Sequence, residues 1–150
     1  MQKRFKLEKV LNYRNLILEK EKAQLSVLVQ QEQKIIGEIR RIMAIIAQKQ
    51  HEMSETQSEG DFKLTNMYQK YITKLESDRN KMQAKLALHR QTVYKQKAVT
   101  VKAYQKKSII DKLHTRHKAA YASFLDKEEA KVSEDIVTTR KAAAINSNDE

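Results

Sequence analysis

An apolar repeat runs through the first third of the chain and predicts a long helix with one buried seam. Steps of four and three residues from Leu7 reach fourteen positions, of which ten are apolar. A repeat that averages 3.5 residues keeps one side of a helix against a partner helix and imposes a left-handed supercoil. The pattern therefore predicts a coiled coil. The ten positions are Leu7, Leu11, Leu18, Leu25, Leu28, Ile35, Ile39, Ile42, Ile46 and Met53.

The repeat stops in the polar stretch 54–61, which holds the best candidate for a turn. Gly60 could take the left-handed conformation that ends a helix, and Asp61 could cap the next one. The 150 residues contain no proline and only two glycines, too few for the turns of a β or α/β fold. We therefore predict an all-α protein with helix 1 at about 5–55, a turn at about 56–61, helix 2 at about 62–143 and a frayed tail at 144–150.

A second apolar pattern follows the turn, weakens through residues 96–107 and then resumes. Its change of phase reads as a stutter, because no residue there ends a helix. A short link makes the two helices antiparallel neighbours, so residues 1–150 are predicted to form a single coiled-coil domain, a hairpin whose second helix is longer. A parallel homodimer of one continuous helix stays open as an alternative. The pattern comprises Leu64, Tyr68, Tyr71, Leu75, Met82, Leu86, Val93, Ile109, Ile110, Leu113, Ala120 and Phe124.

The formal net charge of +11 is concentrated on the second predicted helix. Residues 79–110 carry nine Lys or Arg and no acidic residue, which favours an acidic partner or a polyanion.

The start of the chain is too charged for a signal peptide, and no apolar run is long enough to span a membrane. The absence of cysteine and of glycine-rich loops argues against an enzyme or a cofactor site. Asp111, His114 and His117 share a helix face, but the set is incomplete for a metal, and solvated surface histidines are the expectation.

Three motifs in order then resemble one family. Residues 4–14, RFKLEKVLNYR, resemble the opening RFxLxxVLxxR of the flagellar export protein family FliJ. Residues 68–76, YQKYITKLE, resemble its YQxFIxxLE, with Tyr71 where Phe is common. Residues 124–140 resemble its closing acidic-lysine block, with looser spacing. The likeness covers nearly the whole chain.

This resemblance implies a cytoplasmic stalk protein, peripheral to the inner-membrane export apparatus. The family resembles the central stalk of rotary ATP synthases, binds the export ATPase hexamer, promotes its assembly and activity, and connects it to the export gate protein FlhA and to export chaperones. It implies no cofactor, no metal, no small-molecule substrate and no specific nucleic acid. A stalk protein of virulence injectisomes is an equally compatible relative.

The resemblance also suggests site residues. The positions that contact the gate in the family correspond to Tyr71, Leu75 and Met82, although all three also fit the apolar seam and could simply pack against helix 1. For the ATPase ring we expect basic side chains near the two termini to face acidic residues of the ring pore: Arg4, Arg14, Lys112, Arg116 and Lys118. The alternative from another class is a basic coiled-coil adaptor or nucleic-acid-associated protein, which would bind DNA or RNA tightly and with strong salt dependence.

Overall fold

The computed structural model describes residues 2–148, which form two helices and no strand. Helix α1 spans Glu8–Ser58 and helix α2 spans Phe62–Asn148. Contacts between the helices pair earlier residues of α1 with later residues of α2: Leu28 lies against His89, and Glu21 against Gln96. This confirms the predicted all-α antiparallel hairpin with the longer second helix. Neither helix contains a stretch long and apolar enough to cross a membrane.

Both helices differ in length from the prediction. Residues 6 and 7 form a turn, closed by a bond in which the Glu8 amide donates to the Phe5 carbonyl oxygen at 3.2 Å, so α1 begins three residues later than expected. At the other end, residues 144–148 of the predicted frayed tail are helical, because no glycine or proline follows Gly60 and three consecutive alanines at 142–144 lead into the segment. Residues 149 and 150 of that tail lie outside the described residues.

The link between the helices is a Schellman turn followed by an Asp cap. Gly60 has φ = 76°, the left-handed conformation that glycine adopts without steric cost. The Asp61 amide donates to Thr56 O and the Gly60 amide to Gln57 O, the two bonds that define this motif. Asp61 Oδ1 then accepts from the Leu64 amide at 3.1 Å, which caps α2. The roles predicted for Gly60 and Asp61 are both confirmed.

The chain divides into two compact units, each of which contains part of both helices. The turn unit is Leu18–Lys102. Its core consists of Ile42 and Ile46 from α1 with Ile72 and Leu75 from α2, and Ile72 is only 2 % exposed. The termini unit is formed by residues 2–17 and 103–148 of the described chain. There Phe5 and Leu11 are buried, and α2 contributes Ala103.

The inward positions of α2 follow one repeat without a stutter, so that prediction was wrong. In the turn unit, steps of three and four reach eleven positions, none of them exposed: Thr65, Tyr68, Ile72, Leu75, Arg79, Met82, Leu86, His89, Val93, Gln96 and Thr100. In the termini unit the same spacing gives Ala103, Lys107, Ile110, His114, His117, Tyr121 and Phe124. The sequence pattern lost its phase because polar side chains occupy several packed positions.

Several of these polar positions form hydrogen bonds to α1, whereas the buried Nε of Arg79 has no hydrogen-bond partner among the described residues. Gln96 Nε2 donates to the Glu21 carbonyl oxygen at 3.2 Å and to Glu21 Oε2 at 2.6 Å. A ring nitrogen of His89 lies 2.7 Å from the Leu28 carbonyl oxygen. Buried polar groups are tolerated when they are paired in this way, so the helices remain packed where the apolar pattern is weak.

Candidate partner-binding surfaces

The three candidate gate residues lie in the turn unit but have different surroundings. Tyr71 is 43 % exposed, whereas Leu75 is buried in the core and Met82 is half-buried against it. Adjacent helical positions differ by about 100° in direction, so Ile72 faces inward while Tyr71 faces outward. Of the three, Tyr71 presents the most side chain to a partner, and Leu75 has the packing role that its position in the seam allowed.

An open groove lies beside Tyr71 on the surface of the turn unit. It has a volume of about 340 Å³ and is lined by Lys49, Leu64, Met67, Tyr68 and Tyr71. Met67 is 60 % exposed and lies one helical turn before Tyr71. Met67 falls outside the apolar repeat, so its role could not be predicted from that pattern. An apolar side chain one turn from a candidate contact, on the same face, is the signal that could have identified it.

A small polar network borders this groove. Lys49 Nζ donates to Glu52 Oε2 at 3.0 Å, and this bond lowers the pKa of the Glu52 carboxyl below its ordinary value. The hydrogen bond to Glu52 also raises the pKa of the Tyr68 hydroxyl. The groove thus has an apolar floor with a fixed ion pair at its edge, an arrangement suited to an apolar anchor on a partner protein.

The five candidate ring-binding residues all belong to the termini unit. Arg4, Lys112, Arg116 and Lys118 are exposed, and Arg14 is half-buried. Arg4 forms a weak surface contact with Glu8 at 3.9 Å, and Lys112, Arg116 and Lys118 form no ion pair within residues 2–148. Four of these five charges are therefore open to solvent and available to an acidic surface.

The two histidines of the termini unit pack against Phe5. The Phe5 ring centroid lies 4.9 Å from that of His114 and 5.5 Å from that of His117. Both histidines are half-buried, so the expectation of solvated surface residues was wrong. Within the described part of the chain, no cluster of His, Cys, Asp and Glu could hold a metal ion. The two rings instead support the turn that precedes α1.

An all-helical hairpin with exposed candidate groups such as Tyr71, Arg4 and Lys112, and with Leu75 packed in its core, belongs to the class of coiled-coil proteins. The sequence matches the family described as Flagellar FliJ protein over residues 2–143, and the chain belongs to that family. It is therefore a component associated with flagellar protein export, from a family of structural and adaptor proteins. Neither the curated proteins nor the solved structures gave a match.

Proposed function

We propose that this protein is the stalk of the flagellar export ATPase. In this role the termini unit binds the ATPase hexamer and promotes its assembly and activity. The turn unit contacts the export gate protein FlhA, and export chaperones bind to the same coiled coil. Membership of the flagellar family is the observation that carries the proposal.

The charge of the termini unit supports the ring contact. Arg4, Lys112, Arg116 and Lys118 are exposed, and the last three have no acidic partner among the described residues. Exposed charges of this kind steer association and orient two partners more than they add affinity. A basic surface would suit a pore lined by acidic side chains, and it would make the contact sensitive to salt.

The test is the stimulation of purified export ATPase by a variant that lacks four of these charges, R4Q/K112Q/R116Q/K118Q. We expect the concentration needed for half-maximal stimulation to rise about tenfold, since each exposed ion pair contributes a few tenths of a kcal/mol. A dispersed control, K20Q/K34Q/K70Q/K97Q, removes the same charge from exposed lysines of the turn unit. Unchanged stimulation by the first variant, or an equal loss in both variants, would contradict the proposed ring contact.

The groove beside Tyr71 supports the gate contact. Tyr71 and Met67 are exposed apolar side chains at its border, and aromatic residues and methionine are enriched at protein interfaces. The pair M67A/Y71A removes both without touching the buried core. We expect it to weaken binding to the cytoplasmic part of the gate about tenfold or more, as interface anchors do. Leu16→Ala, on an exposed side chain of the termini unit, is the matched control. Gate binding retained by a folded M67A/Y71A variant would reject this part of the proposal.

A basic coiled-coil adaptor that binds nucleic acid is the second candidate function, because residues 79–110 carry nine positive charges and no negative one. It predicts tight, salt-dependent retention of DNA or RNA, whereas the stalk function predicts only weak, non-specific retention. A titration with a labelled duplex and a labelled single strand separates the two.

A further inference from the structure

One face of α2 in the turn unit carries four exposed lysines. Steps of four and three residues from Lys81 reach seven positions, and all seven are exposed. Four are lysines, two are aliphatic and one is threonine. Because this spacing keeps residues on one side of a supercoiled helix, the seven form a single stripe about 30 Å long. This lysine stripe comprises Lys81, Lys85, Leu88, Thr92, Lys95, Val99 and Lys102.

No acidic side chain neutralises the stripe. Residues 79–102 of α2 contain no acid, and each acidic residue of α1 between 18 and 41 is engaged elsewhere: Glu19 with Lys22, Glu21 with Gln96, Glu32 with Arg90 and Glu38 with Arg41. Within residues 2–148 the four lysines of the stripe form no ion pair. Four uncompensated charges on one helix face create a positive potential that attracts an anionic surface.

The side chains between the lysines indicate which anionic surface. Leu88 is 67 % exposed and Val99 is 46 % exposed, and both lie within the stripe. Lysines with aliphatic side chains between them are typical of helices that lie on anionic membranes, where the lysines reach the headgroups and the aliphatic groups enter the acyl boundary. Stacking on single-stranded nucleic acid would instead call for aromatic side chains among the charges. The exposed Tyr94 falls outside the stripe and lies on the face that Arg90 and Lys97 share.

We propose that the lysine stripe docks the turn unit onto an anionic lipid surface. The four ammonium groups contact phosphate headgroups, and Leu88 and Val99 contact the outermost part of the acyl chains. This contact is independent of the ATPase and gate contacts proposed above, because it uses none of their residues.

The experiment is sedimentation of the full chain with vesicles. Vesicles of phosphatidylcholine with about 30 % phosphatidylglycerol supply an anionic surface, and pure phosphatidylcholine supplies the neutral comparison. We expect binding to the anionic vesicles at about 0.1 M salt and its loss at about 0.5 M, where the screening length is about half as long. A lysine near an anionic surface contributes about one kcal/mol, which corresponds to about fivefold in the vesicle partition coefficient. We therefore expect K81Q/K85Q/K95Q/K102Q to lower the partition coefficient by about two orders of magnitude or more.

Two control variants make the result specific to the stripe and to lipid. The dispersed control K20Q/K34Q/K70Q/K97Q has the same net charge as the stripe variant. If the stripe is the surface that binds lipid, this control should keep most of the vesicle binding. Leu88→Gln leaves every charge in place and is expected to lower vesicle binding about fivefold while leaving retention on heparin unchanged, because only a bilayer offers an apolar layer beneath its charges.

Three results would overturn the proposal. The first is no binding to anionic vesicles by the wild-type protein at low salt. The second is an equal loss in the stripe variant and the dispersed control, which would mean that bulk charge alone attracts the vesicles. The third is tight binding of a DNA or RNA duplex without vesicle binding, which would assign the stripe to nucleic acid. Circular dichroism of each variant confirms that the hairpin is folded.

Discussion

The turn unit and the last part of α2 are both helical, but only in the turn unit does α2 pack against α1. In the turn unit, Ile42, Ile46, Ile72 and Leu75 form a buried cluster between the helices. Beyond Phe124, every described residue of α2 is exposed, apolar side chains such as Ile136 and Ile145 included. Helix propensity alone favours α2 as far as Asn148, but isolated helices are marginal in water. The comparison therefore separates a part of the chain in which the two helices pack against each other from a part that buries no side chain, and we expect the second part to stay ordered only when a partner binds it.

The largest effect that tests this contrast comes from truncating one isoleucine in each region. Ile72→Ala removes the least exposed side chain of the core and is expected to lower the free energy of unfolding by about 2 kcal/mol or more. Ile145→Ala, in the exposed part of α2, is expected to change it by less than about 0.5 kcal/mol. Urea denaturation followed by circular dichroism measures both. Similar losses in the two variants would show that residue 145 is packed and would remove the contrast.

Burial in the first helix could be predicted from the sequence, because the repeat that begins at Leu7 is strong. Leu11, Leu18, Ile35 and Ile46 are all buried as their spacing predicts. Leu7 itself is exposed and Phe5 is buried in its place. That exchange depends on the contact of Phe5 with His114 and His117, a pairing of residues more than a hundred positions apart that no local repeat can reveal.

The packed face of the second helix is harder to predict from sequence, because it carries polar side chains. His89, Gln96 and Thr100 occupy inward positions and bond to carbonyl oxygens of α1, so a search for apolar residues alone loses the phase there. The same limitation affects the candidate site. The sequence placed Tyr71 and Leu75 together, whereas the structure exposes Tyr71 and buries Leu75. The grouping of the basic candidates near the two termini did follow from the hairpin prediction.

The next largest effects are expected from substitutions of the two glycines of the chain. They test which position of the turn unit has a backbone conformation that requires glycine. Gly60→Ala places a side chain at φ = 76° and is expected to destabilise the unit by about 1 kcal/mol, because the left-handed conformation is strained for other residues. Gly37→Ala is expected to stabilise it by about 0.5–1 kcal/mol, since alanine is the better helix former and nothing lies within 4 Å of the added Cβ. Urea midpoints of the two variants should move in opposite directions. A Gly60→Ala midpoint that is unchanged or raised would contradict the strain at the turn, and a lowered Gly37→Ala midpoint would contradict the gain in helix propensity.

A smaller effect is expected from the ion pair beside the groove. The bond from Lys49 lowers the pKa of Glu52 in the folded state, so this carboxylate contributes stability above its ordinary pKa, and the contribution is lost as the pH falls through the lowered value. Glu52→Gln should therefore reduce the loss of stability between pH 7 and pH 3, measured by urea denaturation at each pH. Glu128→Gln, in the exposed part of α2, is the control. An identical pH profile for Glu52→Gln and the wild-type protein would show that the pair contributes nothing.

The smallest expected effect on stability is also the sharpest test of the contrast. Deleting residues 125–150 removes no buried side chain of the described chain. The free energy of unfolding of the hairpin, measured by urea denaturation, should therefore change by less than about 0.5 kcal/mol. The same segment should exchange its amide hydrogens rapidly in the full-length protein, while the amides around Ile42 and Ile72 stay protected. If the deletion instead destabilised the turn unit, or if the segment were protected without a partner, α2 beyond Phe124 would have contacts that keep it ordered. With fast exchange and an unchanged midpoint, protection gained by residues 125–148 on adding the export ATPase would identify this segment as a part that orders on binding.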